Sequence, residues 1–321
     1  MKTLYIIGNG FDRAHELETS YVHFHEWLRN HKKNYSDASD FVDSIEGLTN
    51  GVNLWSDFEN ALGSINSVEY LKRLIADCKS EQEDENWIAQ SDAVYADLEF
   101  IIRTQYNQLI DAFCDWARDI DTDGVELEYV GLNNEDNYFF TFNYTDTLEN
   151  IYHIPNERIM HIHGYAREKG SKIIVGHSKD YRLDRNALMA LLDAELPADG
   201  GDSVDKLIEI LNETCKDADG IIHSQTQYFQ ELSQQNIRKI IVIGHSYGEV
   251  DWPYFNKIKA ICPNAKWELQ WFSCKDYQNA KKLCQRLSPS FAKFVQASKE
   301  PCQVCKCWEA IKVFFRKKCC K

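Results

Sequence analysis

The chain has 321 residues, of which 44% are hydrophobic and 27% are charged, and this composition is typical of a folded globular protein. It excludes a disordered, collagen-like or small disulfide-stapled chain. The 36 Lys and Arg residues stand against 50 Asp and Glu, and the net charge of −14 disfavours general binding to nucleic acids or to anionic membranes.

Two features of the sequence predict a cytoplasmic protein. No apolar run approaches the ~20 residues that are needed to cross a bilayer. The apolar segment after Met1 is too short, and is followed too soon by charged residues, to be a secretory signal peptide.

Short segments rich in β-branched and aromatic residues predict six strands, at residues 3–7, 138–142, 159–162, 172–175, 239–243 and 266–272. The first and fifth segments are apolar without alternation, as expected of parallel strands that are covered on both faces. Helical patterns separate most of the six. We therefore expect an α/β fold: a Rossmann-like, doubly wound, mostly parallel sheet of about six strands with two helical insertions.

The domain organisation follows from where the helical spacing occurs. The sequence predicts a core built from residues 1–18, 121–182 and 236–300, a helical insertion at 19–120 and a second one at 183–235. Residues 301–321 are predicted to form a Cys-rich, basic C-terminal helix. Its pattern Cys302-x-x-Cys305-x-Cys307 could bind zinc, but a fourth ligand at finger or ribbon spacing is missing, so a helix without metal is the favoured interpretation.

The first predicted strand leads directly into Gly8-Asn9-Gly10-Phe11-Asp12. A doubly wound sheet places its phosphate-facing turn at this point, where small residues let the backbone approach a pyrophosphate. A full dinucleotide fingerprint has a third glycine where Arg13 stands. A plain strand-to-helix turn is therefore the alternative interpretation.

The strand predicted at 239–243 leads into Gly244-His245-Ser246-Tyr247-Gly248, which has the G-x-S-x-G pattern of serine hydrolases. That fold needs a histidine after the serine, and His245 is the last histidine of the chain, so Ser246 is disfavoured as a nucleophile. We interpret the segment as a loop that contacts a ligand. Glu249 and Asp251 follow; they could bind ribose hydroxyls or act only as favourable charges at a helix N-terminus.

Two further predicted strands are followed by polar residues at the edge where open α/β sheets bind ligands. Asn143 follows the strand at 138–142, and His163 follows the one at 159–162. If the strand continued, His161 and His163 would point to the same face, so a metal pair completed by His177 or Asp251 is possible. Hydrogen-bonded structural histidines are the alternative.

Glu59 lies in the segment Trp55-Ser56-Asp57-Phe58-Glu59 of the first insertion. This carboxylate could be functional. The alternative is the ordinary start of an amphipathic helix.

As an ordered set, these motifs resemble the bacteriophage abortive-infection AbiH family, over about residues 3–260. The set consists of Ile6-Ile7-Gly8-Asn9-Gly10-Phe11-Asp12, Thr19-Ser20-Tyr21, Trp55-x-Asp57-x-Glu59, Phe142-Asn143-Tyr144-Thr145, Ile162-His163-Gly164 and Gly244-His245-Ser246-x-Gly248-Glu249-x-Asp251. The order of the motifs is also similar to that of the sirtuin-like NAD-binding domains of bacterial antiviral defence.

The sirtuin-like resemblance implies that NAD is the substrate. It implies that Asn143 holds the attacking water or a ribose hydroxyl and that His163 is the general base, for which an unperturbed histidine pKa near ~6.5 is suitable. The residues that would bind the dinucleotide are Gly8, Asn9, Gly10, Asp12, Gly244, Ser246, Glu249 and Asp251.

The sequence departs from the sirtuin-like pattern at two points, and the second favours hydrolysis of NAD over deacylation. Thr145 stands where that pattern has an aspartate, and Asp146 comes one residue later. The zinc-binding cysteine module of sirtuins is missing from the middle of the chain.

The sequence thus predicts an antiviral protein that hydrolyses NAD to nicotinamide and ADP-ribose, with no metal cofactor. One alternative is a non-catalytic nucleotide-binding sensor or interaction protein of the same fold. Another is a metal-dependent hydrolase built on His161, His163 and Asp251. The expected partners are a small nucleotide substrate, a phage-derived trigger and a second copy of the chain; neither general nucleic-acid binding nor a membrane span is expected.

Overall fold

The computed structural model describes residues 1–55, 57–80, 91–168, 173–195 and 200–297. Its centre is a six-stranded sheet with the order β3-β2-β1-β4-β5-β6, in which all five pairings are parallel. The strands are β1 (Thr3–Ile7), β2 (Asn137–Thr141), β3 (Ile159–His161), β4 (Lys239–Ile243), β5 (Lys266–Trp271) and β6 (Ala292–Gln296). The predicted α/β class with a mostly parallel sheet is confirmed.

The helices flank this sheet and fill the two long connections. In chain order they are α1 (Gly10–Ala14), α2 (Tyr21–Asn30), α3 (Ser36–Ile45), α4 (Phe58–Gly63), α5 (Ser67–Ser80), α6 (Ser91–Asp119), α7 (Thr147–Asn150), α8 (Arg185–Glu195), α9 (Gly200–Glu213), α10 (Ala218–Ser224), α11 (Thr226–Gln234), α12 (Trp252–Ile261) and α13 (Cys274–Leu287). Short 3₁₀ turns occur at Asn156–Arg158, Tyr181–Asp184 and Glu249–Asp251.

The two central strands are buried on both faces. Leu4 of β1 and Ile240 of β4 pack in the core that α11, α12 and α13 cover, whereas Ile7 and Ile243 face the opposite core with Phe11 of α1. Because neither face meets water, both strands are continuous apolar runs rather than alternating ones.

The strand order reverses between β1 and β4, which lie side by side at the centre of the sheet. Ile7, the last residue of β1, is paired with Ile243, the last residue of β4. The loops after both strands therefore start at the same point of the carboxyl edge. In open α/β sheets this switch point is where ligands bind.

The helices of the two long connections share one hydrophobic core. Helices α2 to α6 lie between α1 and β2 in the chain, and their buried residues pack with those of α8 and α9, which come after β3. Phe24, Phe58 and Leu98 from the first connection and Leu192 and Leu207 from the second belong to this core. A single helical body is thus formed by two distant stretches of chain.

One of the predicted strands is wrong and another strand was missed. Residues 173–175 lie outside the sheet. Ile173 and Val175 pack in the helical core. The backbone of Ile174 is satisfied outside the sheet: its N donates to His163 O at 2.8 Å, and its O accepts from Tyr144 OH at 2.8 Å. The sixth strand is β6, a half-buried edge strand.

Within the described ranges, no helix is long and apolar enough to cross a membrane. The C-terminal helix predicted at 301–321, with its cysteine pattern, lies outside the described residues.

Candidate functional site

The loop after β1 packs directly on the loop after β4. Gly10 N donates to Gly244 O at 2.7 Å. A Cβ on Gly8 would lie 2.7 Å from His245 Cα, and one on Gly244, whose φ is +66°, would lie 2.1 Å from Phe11 N. These three glycines are therefore required by the close approach of two backbones. Their contact with a pyrophosphate stays a prediction.

A first polar group lies beneath this contact and consists of Asp12, Asn143, Thr145 and Thr147; we call it the Asp12 group. Asp12 is 1% exposed, and its Oδ2 accepts a hydrogen bond from Thr145 Oγ1 at 2.6 Å. Asn143 Nδ2 donates to Gly8 O at 3.3 Å. Burial raises the pKa of Asp12, and the hydrogen bonds from Thr145, Thr147 and Asn143 oppose that rise.

Three other predicted ligand residues lie on the outside of these loops. Asn9, Ser246 and Glu249 are exposed. Asn9 Nδ2 donates to Thr19 O at 2.7 Å, which ties the first loop to the start of the helical body. Asn279 of α13 donates to Ser246 O at 3.1 Å.

A second polar group, the Lys216 cluster, lies where the helical body meets the loop after β4. It consists of Glu59, His163, Lys216, His245 and Asp251. Lys216 Nζ lies 2.5 Å from Glu59 Oε1 and 3.7 Å from Asp251 Oδ1. His245 Nε2 lies 3.3 Å from Asp251 Oδ2. The Lys216 side chain is 1% exposed, so this is a buried arrangement of ionisable groups.

The charges of the Lys216 cluster are set by their mutual contacts. Burial acts to raise the pKa of Asp251, but the Lys216 ammonium and His245 outweigh burial and lower that pKa. Burial acts to lower the pKa of Lys216, but Glu59 and Asp251 outweigh it and raise that pKa. The pKa of Glu59 is raised, because burial exceeds the opposing effect of Lys216. Lys216 is therefore a charged ammonium beside an ionised Asp251.

His163 is the cluster member that the sirtuin-like resemblance implies as the general base. It is 3% exposed, and its Nε2 lies 3.3 Å from Tyr254 OH and 3.9 Å from Asp251 Oδ1. Burial, followed by the Lys216 ammonium, holds the pKa of His163 well below its ordinary value, while Asp251 opposes both. The expectation of an unperturbed pKa is therefore wrong, and the imidazole is neutral.

The two predicted catalytic residues fall in different groups. Asn143 belongs to the Asp12 group and His163 to the Lys216 cluster. Phe142, the residue before Asn143, packs its ring 5.2 Å from that of His163 and 4.6 Å from that of His245. The two groups are therefore neighbours that are joined through one residue of the chain.

The two histidines around Ile162 do not share a face. Strand β3 ends at His161, and the chain turns at Ile162 and His163, so strand alternation no longer applies. His161 Nδ1 lies 2.9 Å from Asn143 O, and its Nε2 lies 2.7 Å from Glu149 Oε1. The alternative in which both histidines point together toward a metal is therefore wrong, and the hydrogen-bonded alternative describes His161.

His177, the third histidine considered as a ligand, is also engaged elsewhere. Its Nε2 lies 2.8 Å from Thr214 Oγ1, and burial lowers its pKa to about 4. In the part of the chain that the structure describes, no group of three or more His, Cys, Asp or Glu side chains is arranged to hold a metal ion. The cation beside Glu59 and Asp251 is the Lys216 ammonium.

Lys216 could not be predicted as a site residue, because the sequence around it has no recognisable motif. The structure brings it to the cluster because Lys216 N donates to His177 O at 2.7 Å and fixes that segment. Glu59, whose sequence context is compatible with a functional carboxylate and with an ordinary helix start, is a member of the cluster and also accepts a hydrogen bond from the backbone of Gly176.

The strand order and the polar groups at its carboxyl edge define an α/β protein of Rossmann strand order whose candidate ligand edge is covered by a helical body. The family model of bacteriophage abortive infection AbiH matches residues 4–271, and the chain belongs to this family. The match confirms the resemblance seen in the motifs and indicates a role in abortive infection, a defence against phage. No curated protein and no solved structure matches the chain.

Proposed function

We propose that this AbiH-family protein hydrolyses NAD to nicotinamide and ADP-ribose at the carboxyl edge of its sheet. The observation that supports the proposal best is the neutral imidazole of His163 beside the ionised carboxylate of Asp251. A neutral imidazole has a free lone pair that can accept a proton from water. Asp251 favours the imidazolium that forms, whereas burial and the Lys216 ammonium oppose it.

The proposed reaction breaks the bond between C1′ of the ribose and the nicotinamide nitrogen. The electron pair of that bond neutralises the pyridinium, so nicotinamide leaves uncharged. Water forms the new bond to C1′, and its proton passes to His163 and then to solvent. Asn143 would hold the water or a ribose hydroxyl in place, because positioning lowers the barrier of such a reaction.

The rest of the dinucleotide would lie along the loops after β1 and β4. Exposed Asn9, Ser246 and Glu249 can reach it directly. His163 and Asp251 are less than 10% exposed, so NAD can reach them only if the helical body moves away from the sheet edge. A phage-derived trigger would act on that movement.

The test is incubation of the purified full chain with NAD, with and without phage lysate, followed by chromatography of nicotinamide and ADP-ribose. We expect release by the wild type and a loss of at least about 100-fold in His163→Ala, the usual contribution of a general base. Asn143→Ala should also lose activity. The matched controls are His223→Ala and Asn156→Ala, which replace exposed residues and should keep it.

The circular dichroism spectrum of each variant shows whether it is folded. NAD that is bound but never cleaved, even with lysate, would contradict hydrolysis and support the sensor alternative. Cleavage that a chelator abolishes and a metal restores would instead support a metal-dependent hydrolase.

A further inference from the structure

We propose that Lys216 is a positioning residue of this site: its ammonium, which Glu59 holds in place, fixes the charges of Asp251 and His163. The consequence of this role of Lys216 for catalysis rests on the proposed function, the hydrolysis of NAD. The electrostatic part can be measured without any substrate.

The position of the ammonium is determined at both ends of the side chain. At the backbone, Lys216 N donates to His177 O at 2.7 Å. At the other end, Nζ donates to Glu59 Oε1 at 2.5 Å. Since the side chain is 1% exposed, water cannot replace these partners. The positive charge therefore has one location, 3.7 Å from Asp251 Oδ1.

Three segments that are distant in the chain meet at this charge. Glu59 belongs to α4 of the first connection, and Lys216 lies between α9 and α10 of the second. Asp251 precedes α12, a helix that packs on the sheet. Only Asp251 among them is close in sequence to a strand end of the sheet. The helical body therefore supplies charges to the site as well as covering it.

The surroundings of His163 make the effect of Lys216 predictable in sign. Burial has the largest effect on its protonation, followed by the ammonium of Lys216, the carboxylate of Asp251 and the neighbouring His245. Tyr254 of α12 contributes a hydroxyl at 3.3 Å, and Phe142 contributes an uncharged ring. The cation and the carboxylate act in opposite directions on the same imidazole.

This opposition separates a positioning role from a merely structural one. If Lys216 only held the fold together, its removal would loosen the whole edge, and a further substitution would not reverse the change. If it acts through its charge, removing it should raise the pKa of His163, because burial and His245 are then left to oppose Asp251 without the ammonium. Removing the Asp251 charge as well should lower that pKa again.

The experiment is an NMR pH titration of the full chain carrying isotope-labelled histidine, in which the His163 resonance is assigned by its loss in His163→Gln. We expect Lys216→Met to raise the pKa of His163 by about one pH unit or more. Lys216→Met/Asp251→Asn should reverse that rise, and Lys216→Arg should show the wild-type behaviour. The control Lys275→Met removes a lysine whose side chain is 74% exposed, and should change nothing.

A His163 pKa that does not rise in Lys216→Met overturns the inference. If that variant does not fold, Glu59→Gln/Lys216→Met, which leaves fewer unpaired charges, provides the same measurement. The expected titration together with no cleavage of NAD would contradict the proposed function alone. The opposite result is cleavage of NAD in which the acid limb of kcat/KM against pH lies at the same pH in the wild type and in Lys216→Met. That result would contradict this inference and leave the proposed function unaffected.

Discussion

The Asp12 group and the Lys216 cluster lie at the same sheet edge, but they stabilise a buried aspartate in different ways. Asp12 is surrounded by hydroxyl and amide donors, and burial raises its pKa. Asp251 is also buried, yet its pKa falls because a full positive charge lies beside it. The comparison shows that burial alone does not decide the charge of a carboxylate; a neighbouring ion can reverse the effect of burial.

The two groups also differ in how the fold assembles them. The Asp12 group is drawn from α1, from the segment after β2 and from the first residue of α7, so the sheet and the helices next to it place the group without the helical body. The Lys216 cluster requires the helical body to be seated on the sheet. Its ion pairs with Asp251 therefore form only when the helical body is packed on the sheet edge.

The largest effect should come from Lys216→Met, which breaks the comparison by leaving buried Asp251 and partly buried Glu59 without the Lys216 ammonium. Removing one partner of a buried ion pair costs about 3–5 kcal/mol. We expect a decrease of that size in the free energy of unfolding, measured by urea denaturation of the full chain.

The control for this prediction is Lys275→Met. Lys275 Nζ lies 3.4 Å from Asp57 Oδ2, but this ion pair is exposed to solvent. Exposed pairs contribute about 0–1 kcal/mol. Equal losses in the two variants would show that the Lys216 ion pairs have no special energetic role.

A smaller effect is expected from Thr145→Val, which tests the Asp12 group. The substitution keeps the shape of the side chain but removes the hydroxyl that donates to Asp12 Oδ2. A buried acceptor that loses its donor costs about 1–3 kcal/mol, and the same urea experiment measures it. Thr226→Val, at an exposed position of α11, is the control, and a loss as large there would contradict the assignment.

The smallest effect, and the sharpest contrast, should be the dependence of stability on pH. The raised pKa of Asp12 gives stability that is fully present below the unfolded pKa of about 3.9 and is lost as pH rises through the folded value. The lowered pKa of Asp251 gives stability that is present above about 3.9 and is lost as pH falls through the folded value.

Unfolding free energies of Asp12→Asn and Asp251→Asn, each compared with the wild type across a pH series, test this contrast. The two differences should slope in opposite directions, each by at most about 1.4 kcal/mol per pH unit for one proton. Slopes of the same sign would contradict the assigned pKa directions.

The central strands could be predicted from the sequence residue by residue, and the edge of the sheet could not. Strands β1 and β4 are covered on both faces, so their apolar runs are unambiguous. Residues 173–175 have the same composition, but Ile173 and Val175 are buried against helices instead of in a sheet. Strand β6 is only half-buried, and its sequence therefore carries no comparable pattern.

The candidate site shows a similar limit. Residues that lie just after a strand, such as Asn143, could be proposed as site residues from the rule that ligands bind at carboxyl ends. Their partners could not be predicted, because the turn after β3 sends His161 and His163 in different directions. Lys216 has no local pattern at all, and only the tertiary fold brings it to Glu59.

The composite origin of the Lys216 cluster has a consequence for biosynthesis. Glu59, Lys216 and Asp251 leave the ribosome in that order. At about 5–20 residues per second, the roughly 190 residues that separate the first from the last take about 10–40 s to synthesise. No nascent or truncated chain that ends before Asp251 contains the complete cluster. Any activity that depends on the cluster therefore begins only after Asp251 has been synthesised.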